Sequence, residues 1–154
     1  MKAAEKIKTL EVKSPAFSDR TIIPPVYTHD GRNINPPLTI GNIPHETKSL
    51  ALIIEDPDAP RKTSFVHWLM WNIPPAPEIV EDSVPGFQGK NDFGNLRYDG
   101  PAPPSGTHRY FFKVYALDSL LKLKAGASRS ELEKTMATHI IGYGDLTGLY
   151  GRAL

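Results

Sequence analysis

Hydrophobic positions along the chain concentrate in three strong runs, with stretches rich in turn residues between them. Residues 49–55 (SLALIIE) are almost continuously apolar and stop at Asp56-Pro57. Residues 64–73 (SFVHWLMWNI) are apolar on both faces and stop at Pro74-Pro75. Residues 108–117 (HRYFFKVYAL) form the third run. Short apolar runs without one-sided alternation predict strands buried on both faces, in the middle of a sandwich or barrel. A first strand is predicted over 7–13, with Leu10 and Val12 on one face, and short strands over 26–28 and 38–40. Residues 76–107 read as one long connection. A single helix is predicted over about 128–141. Ser128 and Glu131 have capping-box spacing, with Ser130 and Glu133 as an alternative register, and Leu132, Met136 and Ile140 recur at helical intervals. Gly142 would stop that helix. The tail from Gly142 to Gly151 holds four glycines and reads as a loop or a short irregular strand.

Composition narrows the fold class. Fifteen of the 154 residues are proline, about twice ordinary usage, and none lies beyond Pro104. An interior proline removes a helical hydrogen bond and clashes with the preceding turn, so the first two thirds cannot hold long helices. Helical bundles, coiled coils and helical solenoids are excluded. The expectation is a single domain, residues 1–154, built mainly from β-strands with Pro-rich connections.

Charge and cysteine content remove several function classes. The formal net charge is +1 and the basic residues are scattered, so no polyanion partner such as nucleic acid is indicated. With no cysteine, thiolate catalysis, disulfides and Cys-based zinc sites are excluded. The N-terminus lacks the apolar segment of a signal peptide and no apolar run is long enough to span a membrane. A cytoplasmic location is the resulting expectation.

Three polar features interrupt the apolar runs. Asp56-Pro57-Asp58-Ala59-Pro60 is a stiff acidic elbow whose carboxylates share a side in extended geometry, and Ala59-Pro60 is a candidate cis bond. It reads either as a polar turn or as a place to hold a histidine or cation. His67 sits among apolar neighbours and needs a partner, because burying an unpaired imidazole is costly. That partner is either a backbone carbonyl or a carboxylate that would favour the imidazolium. Alternation puts Phe65, Leu69 and Trp71 on the His67 face. His108 and Tyr110 share one face of the third run, with Arg109 on the other. Two imidazoles, a phenol and loop amides near Ser105–Thr107 suit an oxyanion.

These residues carry a family resemblance. DPDAP at 56–60, FVHWLMWNIP at 65–74 and YDGPAPPSGTHRYFFKVYALD at 98–118 resemble the phosphatidylethanolamine-binding proteins, in particular their short bacterial and archaeal, kinase-inhibitor-like branch. The similarity extends over roughly 10–153. It implies a Greek-key β-sandwich of antiparallel sheets with a small anion pocket lined by Asp56, Asp58, His67, His108 and Tyr110. In that picture Pro101 to Pro104 form one wall, Trp68 lies near the pocket, and Asp56 or Asp58 keeps His67 charged. The C-terminal helix of longer members and its tyrosine have no counterpart, leaving Tyr143 or Tyr150 as substitutes. Short relatives imply a homodimer.

The functional expectation is a non-enzymatic protein, without cofactor or metal, that binds a small anionic or phosphoryl headgroup ligand and regulates another protein. Its most concrete form is a serine protease inhibitor of chymotrypsin or elastase type, with Leu146 at P1 and Thr147 at P1′ on the Gly-flanked segment 144–148. The competing reading of that segment is that Leu146 and Leu149 pack the tail on the core. One alternative is a lipid-headgroup or phospho-ligand module acting on a kinase pathway. A more remote one is a metal-dependent hydrolase using Asp56, Asp58 and His67.

Overall fold

The computed structural model describes residues 7–152; the outermost positions of the expected 1–154 domain lie outside them. The strands in chain order are β1 (Lys8–Thr9), β2 (Glu11–Lys13), β3 (Thr21–Ile22), β4 (Leu38–Gly41), β5 (Ser49–Asp56), β6 (Phe65–Ile73), β7 (Glu78–Ile79), β8 (Phe87–Gln88), β9 (Thr107–Leu117) and β10 (Ile140–Gly151). One helix, α1 (Arg129–Met136), precedes β10. The three apolar runs become β5, β6 and β9, and they are neighbours. The large sheet has the order β1-β10-β9-β5-β6-β8, with β3 also paired to β10, and a small sheet has the order β2-β4-β7. The pairings are antiparallel except that β1 and β3 run parallel to β10, so the large sheet is mixed rather than wholly antiparallel.

Burial on both faces of the central strands has a direct cause. On one face Leu50, Leu52, Ile54, Phe112 and Val114 pack against Val12, Leu38, Ile40 and Ile79 of the small sheet. On the other, Ala51, Ile53, Leu69 and Trp71 are covered by Leu132 and Met136 of α1 and by Leu121 and Ala127 before it. The helix starts where its capping box places it: Glu131 N donates to Ser128 Oγ and Ser128 N donates to Glu131 Oε1.

Several expectations are corrected. The first strand is two, because the chain crosses from the large sheet to the small one at Leu10, whose amide bonds Tyr143 O at 2.9 Å. Residues 25–27 form a 3-10 turn with proline at its start, not a strand. The helix ends at Met136, and Ile140 already belongs to β10. No cis peptide bond is present among the described residues, so Ala59-Pro60 is trans.

The largest correction is the glycine-rich tail. It is the longest strand of the molecule, paired to β9 from Ile140 to Gly151. Its glycines allow close approach: a Cβ on Gly144 would lie 2.3 Å from Leu10 O, and one on Gly148 would lie 2.5 Å from the Ile23 side chain. Leu146 is only 2% exposed within the core, and Thr147 sits opposite Phe111 in the ladder. Neither residue is on a protruding loop, so 144–148 is not the reactive loop envisaged for a protease inhibitor; Leu146 packs the core.

Candidate functional site

Strand direction assembles the site. Because β6 and β9 both run antiparallel to β5, the end of β5 meets the beginnings of its two neighbours. Asp56 closes β5, Phe65 and His67 open β6, and His108 and Tyr110 open β9. These side chains line a cavity of about 310 Å³. The rest of its wall is mainly apolar, with Ala59 and Pro60 from the acidic elbow, Phe93, and Ala102 to Pro104.

A β-bulge turns His67 into the cavity. Ile54 is opposite Trp68 and Glu55 is opposite Val66, which leaves His67 as the extra residue on β6. Val66 therefore faces the helix side with Leu69 and Trp71, while Trp68 faces the inter-sheet core. Regular alternation would have placed His67 with Leu69 and Trp71. Instead its ring meets Tyr110 nearly perpendicularly, with centroids 5.3 Å apart, and has Phe65 at 5.3 Å and Phe93 at 5.5 Å.

The two aspartates separate. Asp56 Oδ2 lies 2.6 Å from His108 Nδ1, and its Oδ1 accepts the amide of Asp58 at 2.7 Å. Asp58 turns outward to Arg109, accepting the Arg109 amide at 2.8 Å and its guanidinium at 2.9 and 3.0 Å. Those hydrogen bonds hold the Asp58 carboxyl below its ordinary range, with partial burial opposing them. Asp58 thus fastens the elbow to β9 and does not line the cavity. The chain leaves extended geometry at Pro57, so the two carboxylates do not share a side.

His67 is held by neither carboxylate. Its Nδ1 donates to the carbonyl of Asp99 at 2.6 Å. Burial lowers its pKa, only partly countered by the Asp99 carbonyl and by the charge of Asp56. His67 is therefore a neutral imidazole at pH 7, not the imidazolium expected from a carboxylate partner. Tyr110 is 1% exposed, and its hydroxyl has no hydrogen-bond partner among the described residues. Burial pushes that hydroxyl's pKa far upward, so it remains an un-ionised donor.

Other expected residues stand elsewhere. Pro101 is buried behind the wall, its carbonyl accepting the His29 amide at 3.1 Å; the lining comes from the three residues after it. Trp68 lies in the core and donates to Gln88 Oε1 at 2.7 Å. Neither tyrosine proposed as a substitute lines the cavity, since Tyr143 bonds Asp145 and Tyr150 bonds Asp30. No group of three potential metal ligands converges among the described residues; Asp58 has gone to Arg109 and His67 Nδ1 to a carbonyl, so the metal-hydrolase arrangement is not formed.

Sequence reasoning missed Phe93 and the loop that carries it. Asn91 is the loop's hub: its Oδ1 accepts the amides of Phe93 and Asn95, each at 3.0 Å, and its Nδ2 donates to the Asp99 carboxylate at 2.8 Å. The one available signal was an aromatic residue stranded inside Asn-Asp-Phe-Gly-Asn, where a solvated loop has no use for it.

Comparison with known proteins identifies the family and the fold. The model of the family described as phosphatidylethanolamine-binding protein matches residues 13–151. The chain belongs to the phosphatidylethanolamine-binding protein family. A UPF0098 protein of Pyrococcus horikoshii is 50% identical over 159 residues, covering 96% of this chain and 79% of its own. Among solved structures, a phosphatidylethanolamine-binding protein homolog of Chlamydia trachomatis superposes with TM-score 0.91 at 37% identity, covering 95% of this chain and 99% of that one. Escherichia coli YbcL, described as a new member of the mammalian family, superposes with TM-score 0.86 at 27% identity, covering 94% and 99%. This member of the phosphatidylethanolamine-binding protein family carries no helix, among the described residues, long and apolar enough to cross a membrane.

Proposed function

We propose that this protein binds a small oxyanion, a phosphoryl or carboxylate group with a modest apolar substituent, and exerts its effect through that occupancy rather than through chemical turnover. The observation that carries the reading is the Tyr110 hydroxyl, buried without a partner at a cavity that also holds two imidazoles with committed Nδ1 atoms. A buried hydroxyl without a partner is costly to the folded chain, and a bound oxyanion removes that cost. Phe65, Phe93 and the proline segment supply apolar walls around the same atoms. No Ser, Thr or Cys side chain lines the cavity, so no nucleophile of that kind stands beside the Asp56–His108 pair. Regulation of a partner protein follows as the role of an occupied site.

The test is a titration with methylphosphonate, followed by NMR of the His67 and His108 side chains. Both rings shift at low millimolar ligand. Rings that stay unmoved in a folded protein overturn the reading.

A further inference from the structure

Residues 119–127 (SLLKLKAGA) interleave leucines and lysines that no part of the cavity uses. Leu121 and Ala127 belong to the apolar cluster on the helix side of the large sheet, so the segment lies over β6 and β8. Leu121 is its buried anchor: its amide donates to Asn72 Oδ1 at 2.8 Å and its carbonyl accepts from Asn72 Nδ2 at 3.0 Å. The Leu123 carbonyl accepts from Trp71 Nε1 at 3.1 Å, and the Gly126 amide donates to the Gln88 carbonyl at 2.8 Å. With Leu121 held inward, Leu120 is turned to solvent and is 63% exposed. Phe87, directly across from Trp71 in the ladder, is 51% exposed, and Leu96, beside Gly126, is 48% exposed.

A lone exposed leucine is ordinary. Here three large apolar side chains from three segments stand among the exposed Lys48, Lys90, Lys122 and Lys124. Lys48 and Lys122 line one shallow depression with Leu120, and the Lys90 amide donates to the Ala127 carbonyl at 2.9 Å. None of the four lysines forms a salt bridge among the described residues, whereas Arg61, Arg97, Arg109 and Arg129 are all paired. No acidic residue lies between Asp82 and Asp92 or between Asp118 and Glu131. Asp118, the one carboxylate in the depression, is 2.8 Å from His139 Nδ1. The strip is therefore apolar and basic, and its positive charge is not compensated within the chain.

We infer that this strip is a peripheral docking surface for an anionic phospholipid bilayer, with Leu120 and Phe87 entering the headgroup boundary and the lysines meeting the phosphates. Charge complementarity commits the surface to an anionic occupant. Composition favours lipid over protein. Protein interfaces favour arginine, whose planar fork matches a carboxylate, and are depleted of lysine. The free cations of this strip are all lysine. A bilayer also needs no matching groove: apolar side chains insert singly, and lysine stems lie along the boundary with their ammonium groups at the surface. Several lysines acting together give an adsorption that salt screens. Docking does not depend on the oxyanion reading. Ser49, which opens β5, donates from Oγ to the Ser119 carbonyl at 2.7 Å, while the cavity lies at the other end of that strand, so docking at Leu120 leaves it uncovered.

Co-sedimentation with vesicles of phosphatidylcholine, alone and with about a third phosphatidylglycerol, tests this. The protein pellets with the anionic vesicles and stays in the supernatant with the neutral ones. Raising NaCl from about 0.05 to about 0.5 M releases it. Lys122→Glu with Lys124→Glu lowers the affinity more than about tenfold. Leu120→Ser lowers it about fivefold with the charge unchanged. Lys8→Glu with Lys13→Glu makes the same charge change on β1, at the opposite edge of the large sheet, and on β2, and lowers it less than about threefold. In Leu120→Trp the new indole emission shifts to the blue on anionic vesicles, against a constant signal from the buried Trp68 and Trp71. A folded protein that does not pellet with anionic vesicles overturns the proposal, and binding of polyglutamate that Lys122→Glu abolishes then marks an acidic protein segment as the occupant. Equal losses in the two lysine pairs also overturn it, because overall charge rather than this strip then carries the adsorption.

Discussion

Glu55 and Asp56 are consecutive buried carboxylates at the end of β5, and they face opposite sides of the sheet. Glu55 lies under α1, where Arg129 approaches to 2.8 Å and Lys113 pairs with its other oxygen. Asp56 lies at the cavity, bonded to His108 and one amide. The pair of cations holds the Glu55 carboxyl down to about 2 despite its burial. Each Glu55 oxygen faces a cation, Oε2 bonded to Arg129 and Oε1 ion-paired with Lys113, which ties helix to sheet. Next to Asp56 the same strand end leaves the Tyr110 hydroxyl without a partner. Two neighbouring residues thus stand in contrasting settings: the charge-saturated side ties the fold, and the side with the partnerless hydroxyl holds the proposed ligand site.

The sharpest way to break this contrast is Glu55→Gln. It leaves Arg129 and Lys113 beside a neutral amide, and losing one member of a buried ion cluster costs about 3–5 kcal/mol. Urea denaturation should show that loss with ligand affinity unchanged. Acid titration separates the two sides next. Glu55 has a folded pKa below its ordinary 4.5, so its contribution is present above that value and lost as the pH falls from 4.5 toward about 2. That limb is worth on the order of 3 kcal/mol and should vanish in Glu55→Gln. His67 is depressed below its ordinary 6.5, so the unfolded chain takes up a proton first. Its contribution is intact above 6.5 and declines as the pH drops below it. Thermal melts between pH 8 and 2 should resolve both limbs.

Asp56→Asn is expected to cost less stability, about 2 kcal/mol, because it weakens one charge-assisted hydrogen bond without stranding a cluster of cations. It should nevertheless weaken oxyanion binding more than tenfold by freeing the His108 ring to reorient, as read by calorimetry. The smallest effect on stability belongs to Tyr110→Phe. Removing a buried hydroxyl that lacks a partner should leave the melting temperature unchanged or raise it slightly, while affinity falls. A clear destabilisation would mean that Tyr110 belongs to the saturated side after all.

How much of this was legible depended on what each residue type reports. The unbroken apolar stretches around Leu52, Leu69 and Phe112 announced their strands, because burial on both faces leaves no other pattern. Ser128 and Glu131 announced the start of α1 through their own side chains. Gly144 and Gly148 misled, because a glycine required by close approach looks like one required by a turn. The cavity residues His67, His108, Tyr110 and Asp56 were visible as chemical types, but their partners were not. The bulge at His67 depends on register with β5, and the choice of His108 over His67 by Asp56 depends on which strand starts lie side by side. Phe93 reached the cavity only through the hydrogen bonds of Asn91, which no periodicity encodes.

The placement of β10 carries a further consequence, for the order in which the chain can fold. Lys8 lies opposite Gly142 and Thr21 opposite Gly148, so the segments that open the described chain dock on the strand that closes it. Such pairings close long loops, whose entropic cost comes before any contact repays it. During synthesis the first strands must wait, unpaired on that side, until β10 has been made. The β5–β6 hairpin can form long before then, so half of the cavity is in place early. The imidazole and phenol of β9 join it later, and the sheet is sealed last.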